Sequence, residues 1–187
     1  MTGTEHVVAA APKKYRNRLS LSNRAGRVLW RMVWPVLGRW SPTPFHFWRR
    51  WLLRLFGAKI GRGVHIYPSA KVWAPWNLVM GERSCLASGV DCYSVDRITI
   101  GAYVTVSQGA FLCTATHDFR AAAFPLVTKP ITVGARAWVA ASAFVGPGVT
   151  IGEGAVVGAM SCVVKDVPEW TVWAGNPATM VSERTVK

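Results

Sequence analysis

Few side chains in this chain can do acid–base, nucleophilic or metal chemistry, and their placement narrows what that chemistry is. There are four histidines, His6, His46, His65 and His117. Imidazole has an ordinary pKa near 6.5, so at neutral pH it can take a proton from a hydroxyl that is otherwise a poor nucleophile. His117 lies in the run Thr114-Ala115-Thr116-His117-Asp118-Phe119-Arg120. Asp118 could orient the ring or could equally be a surface carboxylate, and it is left out of the catalytic set. No Ser-His-Asp or Cys-His constellation can be placed, so no covalent intermediate is implied. The cysteines Cys85, Cys92, Cys113 and Cys162 form no C-x-x-C pair and read as buried reduced thiols.

A regular frame has to position these groups. From Ile60 onward an aliphatic residue returns every six positions: Ile60, Ile66 and Val72, then, after a two-residue slip, Met80, Leu86 and Cys92. A second slip precedes Ile100, Val106 and Leu112. After about fifteen interrupting residues the period runs through Val133, Val139, Val145, Ile151, Val157 and Val163. The second position of the hexad is glycine at 61, 81, 101, 134, 146, 152 and 158, and the fifth is small or valine at 64, 70, 84, 90, 104, 110, 137, 143, 149, 155, 161 and 167. A β-sandwich would alternate without a fixed period of six. A hexad is one short strand and a turn, with the aliphatic residue inward and the glycine permitting the corner. Three hexads close a coil of about eighteen residues, and stacked coils pair in parallel around an aliphatic column. The slips then lie at corners and the fifteen hexads make five coils. His117 closes the hexad begun at Leu112, at the origin of the interruption. Solenoids accept insertions as loops leaving a corner, and such loops often carry the binding face. His65 sits within a repeat and keeps the usual structural or solvated reading.

Repeat, insertion and C-terminal signature together resemble the left-handed parallel β-helix family of hexapeptide-repeat acyltransferases, over residues 60 to about 180. The Trp-bearing hexad Val133-Gly134-Ala135-Arg136-Ala137-Trp138, the run Gly158-Ala159-Met160-Ser161-Cys162-Val163-Val164-Lys165-Asp166-Val167-Pro168 and the ending Ala174-Gly175-Asn176-Pro177-Ala178 carry the match. The resemblance implies acetyl-CoA as acyl donor and co-substrate, no metal, and His117 as general base in direct transfer. It also implies that Trp138 lines the donor channel, that Ala141 and Ala159 present backbone to the pantetheine arm and thioester, and that Val164 and Lys165 meet the distal part of coenzyme A. In the family that groove forms between subunits of a homotrimer. Trp138 has a plainer reading as an aromatic packing the loop, and Lys165 as a solvated corner charge. Two departures stand out. Basic residues common after the ending are replaced by Thr179 and Ser182, with Arg184 close, and an asparagine used by galactoside- and maltose-type enzymes is Ala87 here.

The segments Leu53-Arg54-Leu55-Phe56-Gly57-Ala58-Lys59-Ile60-Gly61, Ala74-Pro75-Trp76-Asn77-Leu78 and Phe111-Leu112-Cys113-Thr114-Ala115-Thr116-His117-Asp118 resemble the colanic-acid-type exopolysaccharide O-acetyltransferases. That resemblance implies a sugar hydroxyl, on an exopolysaccharide precursor, as acceptor. An N-acyltransferase acting on an amino-sugar nucleotide is the alternative. A γ-type carbonic anhydrase needs three histidines around zinc, and the repeat holds only His65 and His117. A non-catalytic scaffold would be indifferent to His117→Ala.

Charge divides the chain. Of 187 residues, 22 are Lys or Arg and 9 are Asp or Glu, a net +13. Residues 1–59 hold twelve of the bases against Glu5 alone, so the body from residue 60 is nearly neutral and is not a basic nucleic-acid-binding surface. Hydrophobic residues at 51% and charged residues at 17% exclude a disordered chain. The expected organisation is a basic, Trp-rich segment over 1–59, a β-helix over 60–168 and a tail over 169–187. Phe47, Trp48, Trp51, Leu52 and Leu55 share one helical face, with Arg49, Arg50 and Arg54 largely on the rest. This segment reads as a cap on the open end of the solenoid, as a peripheral element on anionic lipid, or, least well, as a nucleic-acid contact. No window resembles a membrane-spanning helix and no secretory signal is visible in positions 5–20. The expected location is cytoplasmic, with peripheral contact at the inner face of the plasma membrane as the open alternative.

Overall fold

Period-six patterning does produce coils. A computed structural model of the chain describes residues 20–185. Lys13, Lys14, Arg16 and Arg18, part of the basic count, lie outside the described residues. Short parallel strands stack into three faces of a left-handed β-helix. Face A holds Lys59–Ile60, Leu78–Met80, Ile98–Ile100, Ile131–Val133 and Thr150–Ile151. Face B begins with His65–Ile66, Cys85–Leu86, Thr105–Val106, Trp138–Val139 and Val156–Val157. Face C holds Lys71–Val72, Asp91–Tyr93, Phe111–Cys113, Phe144–Val145 and Cys162–Val163.

The aliphatic columns stay in register through both slips. Ile60 pairs with Met80, Met80 with Ile100, Ile100 with Val133, and Val133 with Ile151. Every inward residue of the fifteen hexads is buried, and so are the twelve small or valine fifth-position residues, whereas Trp76, Asp96 and Thr116 at the interrupted corners are not. Each fully buried Val, Leu or Ile contributes about 1.5–3 kcal/mol relative to exposure. The first slip is taken up by the 3₁₀ turn Pro75–Asn77 at the corner between faces C and A. Residues 169–187, expected as a tail, instead continue the solenoid as far as they are described. Thr171–Gly175 stacks in parallel on Val156–Val157, beginning a sixth coil, and Ala178–Glu183 turns back antiparallel to it.

The corner glycines serve a different purpose from the one the repeat suggested. Gly61, Gly81, Gly101, Gly134 and Gly152 are not in the left-handed region. A Cβ at Gly81 would stand 2.4 Å from the backbone nitrogen of Ala102, and one at Gly152 would stand 2.4 Å from that of Glu169. Glycine is needed there because the next coil passes too close. The left-handed turn falls two residues later, at Arg83, Tyr103 and Arg136 among others.

The N-terminal segment forms helix α1, Leu21–Val33, a π-helical stretch, Trp34–Arg39, and helix α2, His46–Leu55. Pro35 lacks an N–H, so the regular α ladder cannot pass through it and the helix widens. The placement of α2 decides which of its faces turns inward, a question the sequence leaves open. Arg49 is fully buried, and Phe47, Trp51 and Leu55 face outward. The reason is the chemistry of the solenoid's open end. Between coils, the N–H groups of Gly61, His65, Tyr67, Lys71 and Trp73 donate to the carbonyls of Met80, Ser84, Leu86, Val90 and Cys92. The equivalent carbonyls one coil earlier are those of Ile60, Val64, Ile66, Ala70 and Val72, and no strand precedes them among the described residues.

All five find side-chain donors. Arg54 Nη2 donates to the Ile60 carbonyl at 2.6 Å, Arg50 Nη1 to Val64 at 2.9 Å, and Arg49 Nε to Ile66 at 2.5 Å. Trp34 Nε1 donates to Ala70 at 3.0 Å and Trp30 Nε1 to Val72 at 2.7 Å. Both indole rings enter the core cluster. An unpaired buried carbonyl costs about 1–3 kcal/mol, so the basic, Trp-rich composition answers a defined need of the fold.

His46 belongs to the same cap. Its Nδ1 lies 2.9 Å from the Ile66 carbonyl oxygen and 3.2 Å from the Ile66 nitrogen, with Arg49 Nη2 also 3.2 Å away, and its ring stacks on His65 at 4.6 Å. Burial lowers the His46 pKa below the ordinary value, and the Arg49, His65 and Arg50 charges add to that, against the opposing Ile66 backbone contact. The unfolded chain therefore binds more protons at this site, so stability falls as pH drops below about 6.5. The thermal midpoint at pH 5 should lie below that at pH 7. His46→Asn, which keeps a side chain able to donate and accept without titrating, should shrink the difference. An unchanged difference would remove His46 as its source.

Candidate active site

The interruption of the repeat is a β-hairpin. Ala115–His117 pairs antiparallel with Leu126–Thr128, His117 opposite Leu126. Its root is fixed by Thr114, a buried residue whose Oγ1 donates to the Tyr93 carbonyl at 2.7 Å and accepts from the Asp96 N–H at 2.9 Å. Lys129 N–H donates back to the Thr114 carbonyl, which closes the base of the excursion. The hairpin leaves the corner between faces C and A and carries His117 exposed to solvent.

One hydrogen bond sets the chemistry of the ring. His117 Nδ1 lies 2.7 Å from the Phe124 carbonyl oxygen. A carbonyl can only accept, so Nδ1 carries the proton and Nε2 of the neutral ring presents a lone pair. Asp118, a candidate for that orienting role in the sequence, accepts from the Arg120 N–H at 3.0 Å and shapes the turn. The orienting atom is a backbone oxygen, which leaves no mark in a sequence.

The other expected site residues divide between two edges of the prism. Val164 and Lys165 are exposed at the corner after Cys162–Val163, the corner from which the His117 hairpin leaves two coils below. Two coil spacings are roughly 10 Å along the axis. Ala141 and Ala159 stack at the other end of face C, at the corner between faces B and C, joined by Met160 N–H donating to the Ala141 carbonyl. Trp138 is half-exposed on face B, and its Nε1 donates to Ser107 Oγ at 2.9 Å. Within one chain, His117, Val164 and Lys165 share one edge, and Ala141 and Ala159 share another.

Trp138 also borders an open cavity of about 430 Å³ with Tyr103, Ser107, Arg136 and Arg184 in its lining. Arg136 pairs with Glu153 at 2.6 Å. Arg184 Nη1 donates to the carbonyls of Arg136 and Gly154 at 3.0 and 2.7 Å. The sequence singled out Arg184 only for standing near two missing basic residues. Folding brings it beside Trp138. Ala87, the departure from the galactoside type, lies at a corner between faces B and C, not at His117's corner. Cys92 is buried in the core and its thiol is pushed up, first by burial and then by Asp91, so it is no nucleophile. Among the described residues, no three His, Cys, Asp or Glu side chains gather as a metal site.

The fold has close solved counterparts. A hexapeptide-repeat-containing acetyltransferase of Vibrio cholerae superposes with a TM-score of 0.81 at 24% identity, covering 89% of this chain and 95% of that one. A maltose O-acetyltransferase of Clostridium difficile 630 gives 0.81 at 23%, covering 89% and 90%. At such identities the likeness establishes architecture. No protein-family model matches the chain. In sequence, the chain is 43% identical over 175 residues to WcaF of Escherichia coli (strain K12), named for colanic acid biosynthesis acetyltransferase activity, with 94% of each chain covered. The chain belongs to the hexapeptide-repeat acetyltransferases. Within that family, this acetyltransferase carries its lone hairpin histidine on a solenoid closed below by arginines and tryptophans.

Proposed function

We propose that the protein transfers an acetyl group from acetyl-CoA to a sugar hydroxyl on an exopolysaccharide precursor, with His117 as general base. The observation that carries the reading is the bond from His117 Nδ1 to the Phe124 carbonyl, which frees Nε2 where the paired strands of the hairpin meet its turn. Nε2 takes the acceptor proton as the sugar oxygen attacks the thioester carbonyl carbon. The tetrahedral intermediate then expels the thiolate, the carbon–sulfur bond breaks, and the imidazolium returns its proton to sulfur. No acyl-enzyme forms. The name of the WcaF relative supports an exopolysaccharide acceptor, and a galactoside acetyltransferase structure with bound coenzyme A, TM-score 0.81 at 22% identity, shares the fold.

In this reading Trp138, Ala141 and Ala159 hold the pantetheine arm, and Val164 and Lys165 meet the distal part of coenzyme A. Because they occupy different edges of one prism, a groove holding all of them with His117 closes between chains. A homotrimer supplies it. The enzyme works in the cytoplasm, where acetyl-CoA is made, at or beside the inner face of the membrane. The test is thiol release from acetyl-CoA against a panel of free and lipid-linked glycans and amino-sugar nucleotides, with sedimentation of the protein in parallel. Turnover with hydroxyl acceptors and a trimeric mass are expected. Turnover with amino sugars alone would move the assignment to N-acyl transfer, and a fully active monomer would remove the shared groove.

A further inference from the structure

The cap solves one problem and creates another. Three of its arginines and two of its indoles turn inward to the open carbonyls, and much of its apolar surface is left outside. On α1 and the π-helical stretch, Leu21, Val28, Met32 and Val36 recur at helical spacing on the outer side and are exposed. Trp40, which follows, is 85% exposed. On α2 the outward stripe is Phe47, Trp51 and Leu55. Trp48 joins the stripes, since its Nε1 donates to the Leu37 carbonyl at 2.8 Å and its ring stacks on Trp51 at 5.1 Å. A surface of this kind on a free soluble body is costly, and it marks a contact.

Charge selects the occupant. No Asp or Glu occurs between Glu5 and Glu82. Arg49, Arg50 and Arg54 are taken up by the coil edge, and the Arg27 guanidinium lies over the Trp73 ring at 4.2 Å. Arg24, Arg31 and Arg39 remain exposed among the outer apolar residues. A second copy of this face would set cations against cations with no acid to balance them. A nucleic acid would match the charge and leave the aliphatic stripe in water. An anionic bilayer matches both, with phosphate headgroups for the arginines and the acyl boundary for Trp40, Met32 and Val36. No helix among the described residues is long and apolar enough to cross a membrane, so the contact lies in the interface plane.

We propose that the outer face of α1, the π-helical stretch and α2 docks the enzyme peripherally on anionic lipid. The docking rests on the proposed location and not on the proposed reaction, so the experiment reads binding and leaves turnover aside. The full chain is sedimented with vesicles of phosphatidylcholine alone or with about one-third phosphatidylglycerol. It should pellet with the anionic vesicles only, and less as salt rises. Arg24→Gln, Arg31→Gln and Arg39→Gln together should lower partitioning about 10²-fold, at about fivefold per arginine. Met32→Ser with Trp40→Ala should abolish it with an unchanged circular dichroism melt. Failure of the full chain to pellet with anionic vesicles would overturn the proposal. So would undiminished binding by the Met32→Ser/Trp40→Ala variant, which would assign the contact to other residues. If that variant instead breaks an oligomer of the parent, the face belongs to a second copy and the lipid assignment falls.

Discussion

His117→Ala is expected to transfer acetyl groups about 10²–10⁴ more slowly than the parent chain, the usual worth of a positioned general base. The loss should fall on kcat, with the KM for acetyl-CoA little changed, because the imidazole acts on the acceptor proton and not on donor binding. The side chain is exposed on the hairpin and contributes nothing to the aliphatic column, so the melt of the variant should match the parent. That separation distinguishes a base from a structural residue. Equal turnover by the variant would end the assignment and favour a scaffold. The preparation for catalysis comes from Phe124, whose carbonyl accepts from Nδ1 at 2.7 Å. Without that contact the neutral ring could carry its proton on Nε2 and meet the hydroxyl with a donor.

The second large effect concerns the cap. Arg49→Leu should destabilise the protein by about 3 kcal/mol or more. Arg49 is fully buried and, among the described residues, pairs with no carboxylate. Its donors serve the Ile66 carbonyl at 2.5 Å, Ser41 Oγ at 2.7 Å, the Pro42 carbonyl at 2.9 Å and the Thr43 carbonyl. Removing the guanidinium leaves several of these acceptors unpaired, at about 1–3 kcal/mol each. Relief of the buried cation offsets part of the loss. Burial already lowers the Arg49 pKa, which is the signature of that cost. A chain of this size loses about 2–4 °C of midpoint per kcal/mol, so a fall of about 6–12 °C is expected by calorimetry. A midpoint within about 2 °C of the parent would show that water reaches these carbonyls and that the cap is decoration.

The two variants bracket what could be read in advance. The hexad columns were fully legible, because a residue pointing into a dry column must be aliphatic at every coil, whatever surrounds it. Both slips and the hairpin were legible as breaks in that period. The glycine column was legible as a pattern but not as a cause. A close approach of the next coil and a left-handed turn both select glycine, and only the backbone positions around Gly81 and Gly152 separate them. The orientation of helix α2 was not legible. Its apolar stripe fits a surface-seeking helix and a core-seeking helix equally well. What turned Arg49 inward was the ring of five open carbonyls, a property of the solenoid's end rather than of the helix.

The charge of residues 1–59 shows the same division. Sequence alone determined that a nearly neutral, period-six body follows a basic, Trp-rich head, and that His117 stands where the period breaks. These are one-dimensional facts, since burial repeats with a fixed step along the chain. Tertiary structure alone decided that three arginines and two tryptophans complete the hydrogen bonding of the first coil, and that the Phe124 carbonyl selects the His117 tautomer. It also decided that the expected donor-site residues lie on separate edges. Each of these depends on backbone carbonyls or on corners brought together across the fold, and a backbone carbonyl is the same atom in every residue type.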